Sequence, residues 1–249
     1  AARTPQRARP APPCSQTVLQ RRRDRPRPHR AHRLQREPDE QDHASQRRAQ
    51  QPRQRLRPEP GTERDAGQGM HHSRMWHAAL EHVQYGPVPV VAALHGAVVG
   101  GGLELASACH IRVADETTFF ALPEGSRGIF VGGGGSVRIP RLIGVARMTD
   151  MMLTGRVVNA VDGERIGLAQ YLVPTGTAFD KAFELAVRIA TNAPLTNYAL
   201  THVLPRIADQ PADQGFMTEA MMAAIAQSAP EAKDRVRAFL EGRADKVKK

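Results

Sequence analysis

Two acids in this 249-residue chain sit in company that acids avoid. Glu104 follows Gly100-Gly101-Gly102 by two residues and is flanked by Leu103, Leu105 and Ala106. Glu124 follows an apolar stretch in Leu122-Pro-Glu-Gly125. A carboxylate among apolar side chains needs a partner or a purpose. Desolvation favours the neutral form of a carboxyl group and suits it to proton transfer. Two such groups converging on one pocket can hold a water and divide acid and base roles. Sequence spacing does not prove convergence, and taken singly each is also an ordinary helix-start or loop acid. The glycines before Glu104 let a ligand approach the backbone closely. Free amides at a helix start favour an anion or oxyanion. Gly100–Gly102 has neither the Lys-Ser/Thr of a phosphate loop nor dinucleotide-fold spacing, and tight helix–strand packing would explain it too. Gly132–Gly135 reads as a second backbone-binding loop or a mobile linker. His71, His72, His77 and His82 suggest metal binding, but the five-residue steps from 72 to 77 and 77 to 82 each turn a helix by about 140°, which separates the ligands. No metal site is expected.

Elements must hold these residues in place. Asp65–Gln84 reads as a helix, with Met75, Ala79 and Val83 on one stripe and Trp76 and Leu80 beside it. Tyr85-Gly-Pro-Val-Pro89 breaks it. Val88–Leu94 is continuously apolar and β-branched, as in a strand buried on both faces. His95–Gly102 is expected to turn and Leu103–Cys109 to form a short buried helix. Ile111–Ala114 and Thr118–Ala121 read as short strands. After the glycine run come Val137–Ile143 and a helix over Ala146–Leu153. Asn159 can cap a further helix, with Asp162 suiting its dipole, and Gly167 ends it. Gln170–Val173 returns as a strand. The remainder is helical: Phe179–Ala193, Leu195–Ala208 despite Pro205, the Met-rich Phe216–Gln227 read as plain core, and a last helix opened by a capping box at Ser228-Ala-Pro-Glu231.

Charge divides the chain. Residues 1–64 carry 17 Arg, no Lys and seven acids, the whole of the formal net charge of +10, while residues 65–249 are neutral. The first segment has ten Pro, nine Gln and only four large aliphatics, Val18, Leu19, Leu34 and Leu56. It cannot bury enough apolar surface to offset its ordering entropy. Its composition is that of a disordered tail or of an out-of-frame read of a GC-rich gene. An Arg-rich arm could neutralise nucleic-acid phosphates. It has no interleaved aromatics for base stacking, so nucleic acid is disfavoured as a partner. No apolar run is long enough for a membrane span, and no apolar stretch follows the basic start as in a secretory signal. Two cysteines, Cys14 and Cys109, fit a reducing, cytoplasmic setting without a structural disulfide.

Four segments in order resemble one family: Val88-Pro-Val-Val-Ala-Ala-Leu-His-Gly-Ala-Val-Val-Gly-Gly-Gly-Leu-Glu-Leu-Ala106, Leu122-Pro-Glu-Gly125, Gly132-Gly-Gly-Gly-Ser-Val-Arg-Ile-Pro-Arg-Leu-Ile-Gly144 and Leu153-Thr-Gly-Arg156. Together they are similar to the crotonase superfamily of enoyl-CoA hydratases and isomerases, over about residues 65–245. The resemblance implies an α/β fold, a spiral of ββα units with N-terminal strands missing or replaced and a helical C-terminal region. Residues 1–64 would be the disordered or out-of-frame segment, 65–175 the α/β core and 176–249 the helical oligomerisation region. It implies an acyl-CoA thioester as substrate, no separate cofactor, and a homotrimer or hexamer if the fold is complete. By motif position Glu104 and Glu124 match the two glutamates that add water across a 2,3-double bond, which favours a hydratase over an isomerase or acyl-CoA hydrolase of the same fold. Gly101 matches the glycine whose N–H is one oxyanion donor, and Gly132 falls in the loop flanking the acyl pocket. Phe239, Lys246 and Lys248 resemble the region that reaches a CoA, often a neighbouring subunit's. Two departures stand out. Nothing in residues 1–64 resembles the family's early strands or the Ala-Gly-x-Asp-Leu-like segment that supplies the second oxyanion N–H, so low activity is expected of this chain. His110 stands where the family commonly has Asp.

Overall fold

The computed structural model describes residues 64–243. The expectations for residues 1–64 therefore fall outside the described residues, save Arg64, as do those for Lys246, Lys248 and Cys14.

The chain starts with helix α1 (Ala66–Gln84), capped by Asp65, whose carboxylate accepts from the Gln68 amide while Gln68 returns a bond to the Asp65 amide. The buried face of α1 differs from the apolar stripe. Met75 and Trp76 are exposed, and Ser73, His77, Leu80 and Gln84 turn inward. Those four positions follow helical spacing, but three of them are polar, so hydropathy alone passes over them.

Two ββ units follow, and each divides its strands between two sheets. Strands β1 (Val91–Leu94) and β3 (Ile111–Asp115) pair in parallel, and β3 also pairs in parallel with β6 (Tyr171–Val173). In the second sheet β2 (Ala97–Val99) pairs in parallel with β4 (Phe119–Ala121), and β4 pairs antiparallel with the short β5 (Val158–Asn159). Helix α2 (Gly101–Ala108) leaves β2 directly. This alternation between sheets is the ββα spiral. Central β3 is buried along nearly its whole length, as a parallel strand flanked on both sides must be. β1 is shorter and less buried than its sequence suggests: it begins after Pro89, Val88 is exposed, and among the described residues it pairs only with β3. Pro87 and Pro89 bring no N–H to a ladder, which delays the strand.

Helices α3 (Gly135–Ile143) and α4 (Val145–Thr154) come next, and α5 (Ala160–Ile166) starts at Asn159, whose side chain accepts from the Asp162 amide at 2.8 Å. Gly167, at φ +97°, ends α5. Leu103, Phe120, Leu122, Ile139, Ile143, Met151 and Leu168 make the main core between these helices and the second sheet. Burial of each such side chain stabilises the fold by about 1.5–3 kcal/mol. A smaller cluster joins Val113 to Ala178, Ala182 and Leu185 of α6 (Ala178–Ala190).

The C-terminal region is helical as expected, with two local corrections. Leu195–Ala208 is not one regular helix. α7 (Pro194–Tyr198) runs through a π turn (Ala199–Val203) into α8 (Leu204–Ile207). Pro205 has no N–H to give the Thr201 carbonyl, and the wider turn absorbs that missing bond. The capping box at Ser228 does not form. Ser228 belongs to α9 (Ala212–Ser228) and donates to the Ile225 carbonyl, and Ala229 caps α10 (Pro230–Leu240) without a side-chain bond. The Met-rich helix is not plain core either: Phe216, Met217, Met221 and Ile225 are exposed. Among the described residues no helix is long and apolar enough to cross a membrane.

Candidate active site

The first turn of α2 organises the site. Gly100 precedes it at φ +56°, a conformation that favours glycine, and has no side chain to cap the helix. The amides of Gly101 and Gly102 therefore have neither a partner inside the helix nor a capping side chain, and both glycines are exposed. A Cβ on either would meet nothing within 4 Å, so the backbone here is open to a ligand.

Glu104 lies one turn on, its amide donating to the Gly100 carbonyl at 3.0 Å. Its side chain is buried. Oε1 accepts two backbone bonds from the glycine run, from Gly133 N–H at 2.7 Å and Gly135 N–H at 2.9 Å. Gly134 between them has φ +92°, which turns successive amides towards one anion. Oε2 makes no hydrogen bond to a described residue. The run is neither a flexible segment nor a linker: Gly133 and Gly135 are buried, and Gly135 is the first residue of α3. A Cβ on Gly135 would stand 2.8 Å from Glu104 Cγ. Glycine is needed there for close approach.

Glu124 comes to the other end of the same turn. It follows Leu122-Pro123 after β4 and enters a 3₁₀ turn (Gly125–Arg127). Its Oε1 lies 2.8 Å from the place a Gly100 Cβ would occupy. Its Oε2 is buried with no hydrogen-bond partner among the described residues. An orphaned buried carboxylate oxygen is costly, and a group from outside the chain can satisfy it. Gly100 thus touches one glutamate and bonds the backbone of the other. Gly101 opens the helix between them.

Gly132 joins this constellation through its neighbours. Its carbonyl accepts from the Ser73 hydroxyl at 2.5 Å. The next carbonyl, Gly133 O, accepts from Arg138 Nη1 at 2.9 Å, and Arg138 Nε donates to Gln84 Oε1 at 2.7 Å. Burial lowers the Arg138 guanidinium below its ordinary value, against the pull of Tyr85, Glu81 and Glu104. Sequence reasoning missed Ser73, Gln84 and Arg138; their inward helical spacing on α1 and α3 was the one available signal. Two of the four histidines serve as hydrogen-bond partners: His77 meets Ser73, and His72 Nε2 accepts from Trp76. Phe239 is exposed on α10.

Residues 61–249 match the enoyl-CoA hydratase/isomerase family. The chain belongs to this family. Solved structures agree. A protein from Rhodopseudomonas palustris CGA009 assigned as an enoyl-CoA hydratase is 58% identical, with a TM-score of 0.72 over 76% of this chain and 73% of that one. An enoyl-CoA hydratase from Bacillus anthracis is 31% identical, with a TM-score of 0.68 over 74% and 72%. Among curated relatives, the fatty acid oxidation complex subunit alpha of Shewanella amazonensis is 42% identical over 135 residues, 53% of this chain and 19% of the relative. The chain thus spans about a fifth of the length of that family member.

Proposed function

We propose that the chain hydrates the 2,3-double bond of an acyl-CoA thioester. The observation that carries this reading is the pair of buried glutamates at the two ends of one helical turn, one with an oxygen in want of a partner. Glu124 and Glu104 hold a water between them and take its proton as its oxygen attacks the β-carbon. The α-carbon receives a proton from the same pair. The Gly101 amide stabilises the enolate-like thioester oxygen as charge develops. Among the described residues one amide, that of Gly101, matches an oxyanion donor of the family. Losing one donor of a pair costs roughly 10²–10³ in rate, so this chain hydrates correspondingly slowly. Exposed Phe179 and Phe183 on α6 and Phe216 on α9 are apolar surface that self-association could cover, which supports the expected oligomer.

The test follows the loss of conjugated enoyl-thioester absorbance with crotonyl-CoA, with product analysis to separate hydration from double-bond migration. Glu104→Gln and Glu124→Gln should each remove at least a further 10² of the rate, in the usual range for a general acid or base. Rates equal to that of the unsubstituted chain would overturn the assignment of the glutamates. Full-rate hydration by the unsubstituted chain would overturn the slow-rate claim alone.

A further inference from the structure

We propose that Ser73 and His77 of α1 form a relay that positions Glu104 through the peptide unit joining Gly132 to Gly133; this rests on the catalytic role of Glu104 proposed above. The Gly132 carbonyl and the Gly133 N–H are opposite ends of that one planar unit. The Ser73 hydroxyl donates to the carbonyl end at 2.5 Å, and the N–H end donates to Glu104 Oε1 at 2.7 Å. Fixing one end of a rigid plane aims the other. A peptide that accepts a short bond at oxygen is also polarised into a stronger donor at nitrogen.

The direction of the relay follows from the donors. The Ser73 hydroxyl has a single hydrogen, and Gly132 O takes it. The contact between Ser73 Oγ and His77 Nε2 at 3.3 Å must then run from the ring N–H to the hydroxyl oxygen. Ser73 and His77 are four residues apart, so one face of α1 presents both. His77 also packs by the loop, with Cδ2 3.7 Å from the position of a Gly134 Cβ. The chain of donors is therefore His77, Ser73 and the Gly132–Gly133 peptide, and it ends on Glu104 Oε1 as acceptor. Arg138 separately holds the following carbonyl. The Gly135 amide belongs to a separate peptide unit, whose Gly134 carbonyl accepts from the Val137 and Arg138 amides of α3, both at 3.1 Å. Neither Ser73 nor His77 touches the reacting atoms; both are positioning residues.

The experiment uses the full chain and two readouts. The first is the amide proton of Gly133 by NMR. In Ser73→Ala it should move upfield and exchange faster with solvent, and Ser73→Thr, which restores a hydroxyl, should return it towards its original position. His77→Ala should move it the same way by less. The second readout is crotonyl-CoA hydration. Ser73→Ala should lower kcat roughly fivefold, the size of one typical hydrogen bond, with KM unchanged, and Ser73→Thr should recover it. Ser73→Ala should have no further effect in a Glu104→Gln background. An unmoved Gly133 resonance overturns the relay, as does an unchanged kcat in Ser73→Ala when Glu104→Gln is impaired. A Glu104→Gln variant at full rate instead overturns the role of Glu104, and the Gly133 resonance then still decides whether the hydrogen-bond relay exists.

Discussion

Gly135→Ala is the sharpest perturbation of the glycine loop. The new Cβ would stand 2.8 Å from Glu104 Cγ, 2.9 Å from Glu104 Oε1 and 3.2 Å from Ile139 Cδ1. Ordinary carbon–carbon contact is about 3.5–4.0 Å, so the Glu104 chain has to move by about 0.7 Å or more. Ile139 is fully buried and offers no room. The displacement acts on a carboxylate oxygen held at 2.7 and 2.9 Å, so at least one of its two amide bonds is lost. Overpacking of this kind costs about 1–3 kcal/mol, and a hydrogen bond to a charged group adds about 1.5–3 kcal/mol. We expect a loss of stability of about 3 kcal/mol from these two effects together. A misplacement approaching 1 Å costs about 10² in rate. Gly69→Ala is the control. Its Cβ meets nothing within 4 Å in α1, so it should gain about 0.8–1 kcal/mol of helix stability and leave the rate alone. Urea titration and the kcat for crotonyl-CoA hydration measure both. A Gly135→Ala enzyme with unchanged kcat would refute the claim that the loop fixes a working Glu104.

Two further predictions concern the packing behind the site. His110 accepts from the Val90 amide at Nδ1 and faces the Gln84 carbonyl with Nε2, so the ring is neutral with its proton on Nε2. Burial lowers its pKa, the Gln84 carbonyl opposes that shift, and His202 and Arg112 add to it. A histidine depressed in the folded state contributes stability above its unfolded value of about 6.5 and loses it as pH falls below that towards the folded value. Urea midpoints from about pH 8 to 5 should fall for the native chain and fall less for His110→Gln; equal slopes would exclude His110 as the cause. Arg112 is buried, with no salt-bridge partner among the described residues, and donates to the Leu168 and Cys109 carbonyls at 2.8 and 2.7 Å. Arg112→Met relieves a buried charge but strands two carbonyls at about 1–3 kcal/mol each, so a net loss of about 2 kcal/mol is expected by urea titration, and an unshifted midpoint would contradict this balance.

Much of the fold is local and could be read locally. Asn159 and Gly167 bracket α5 as their chemistry requires, and Ile111–Ala114 was legible as a short strand, although its burial on both sides was not. The short strand β2 was hidden, because Ala97–Val99 lies between Gly96 and Gly100, both at positive φ, and looks like part of a turn. The inward face of α1 was legible only at Leu80, because the other side chains that face inward are bonded rather than apolar. Ser73, His77 and Gln84 are chosen by hydrogen bonds to a loop that hydropathy does not see.

The amino-acid order made Glu104 and Glu124 candidates, since apolar flanks make an acid anomalous, and the resemblance of the glycine runs to the family's motifs singled out Gly101 and Gly132. It could not say how they meet. The bonds from Gly133 and Gly135 to Glu104 span 29 and 31 residues, and the bond from Ser73 to Gly132 spans 59. Such pairings exist only once two sheets, α2 and α3 have packed. Periodicity along a chain reports which face of an element is apolar; it carries no information about which distant polar group completes a buried carboxylate.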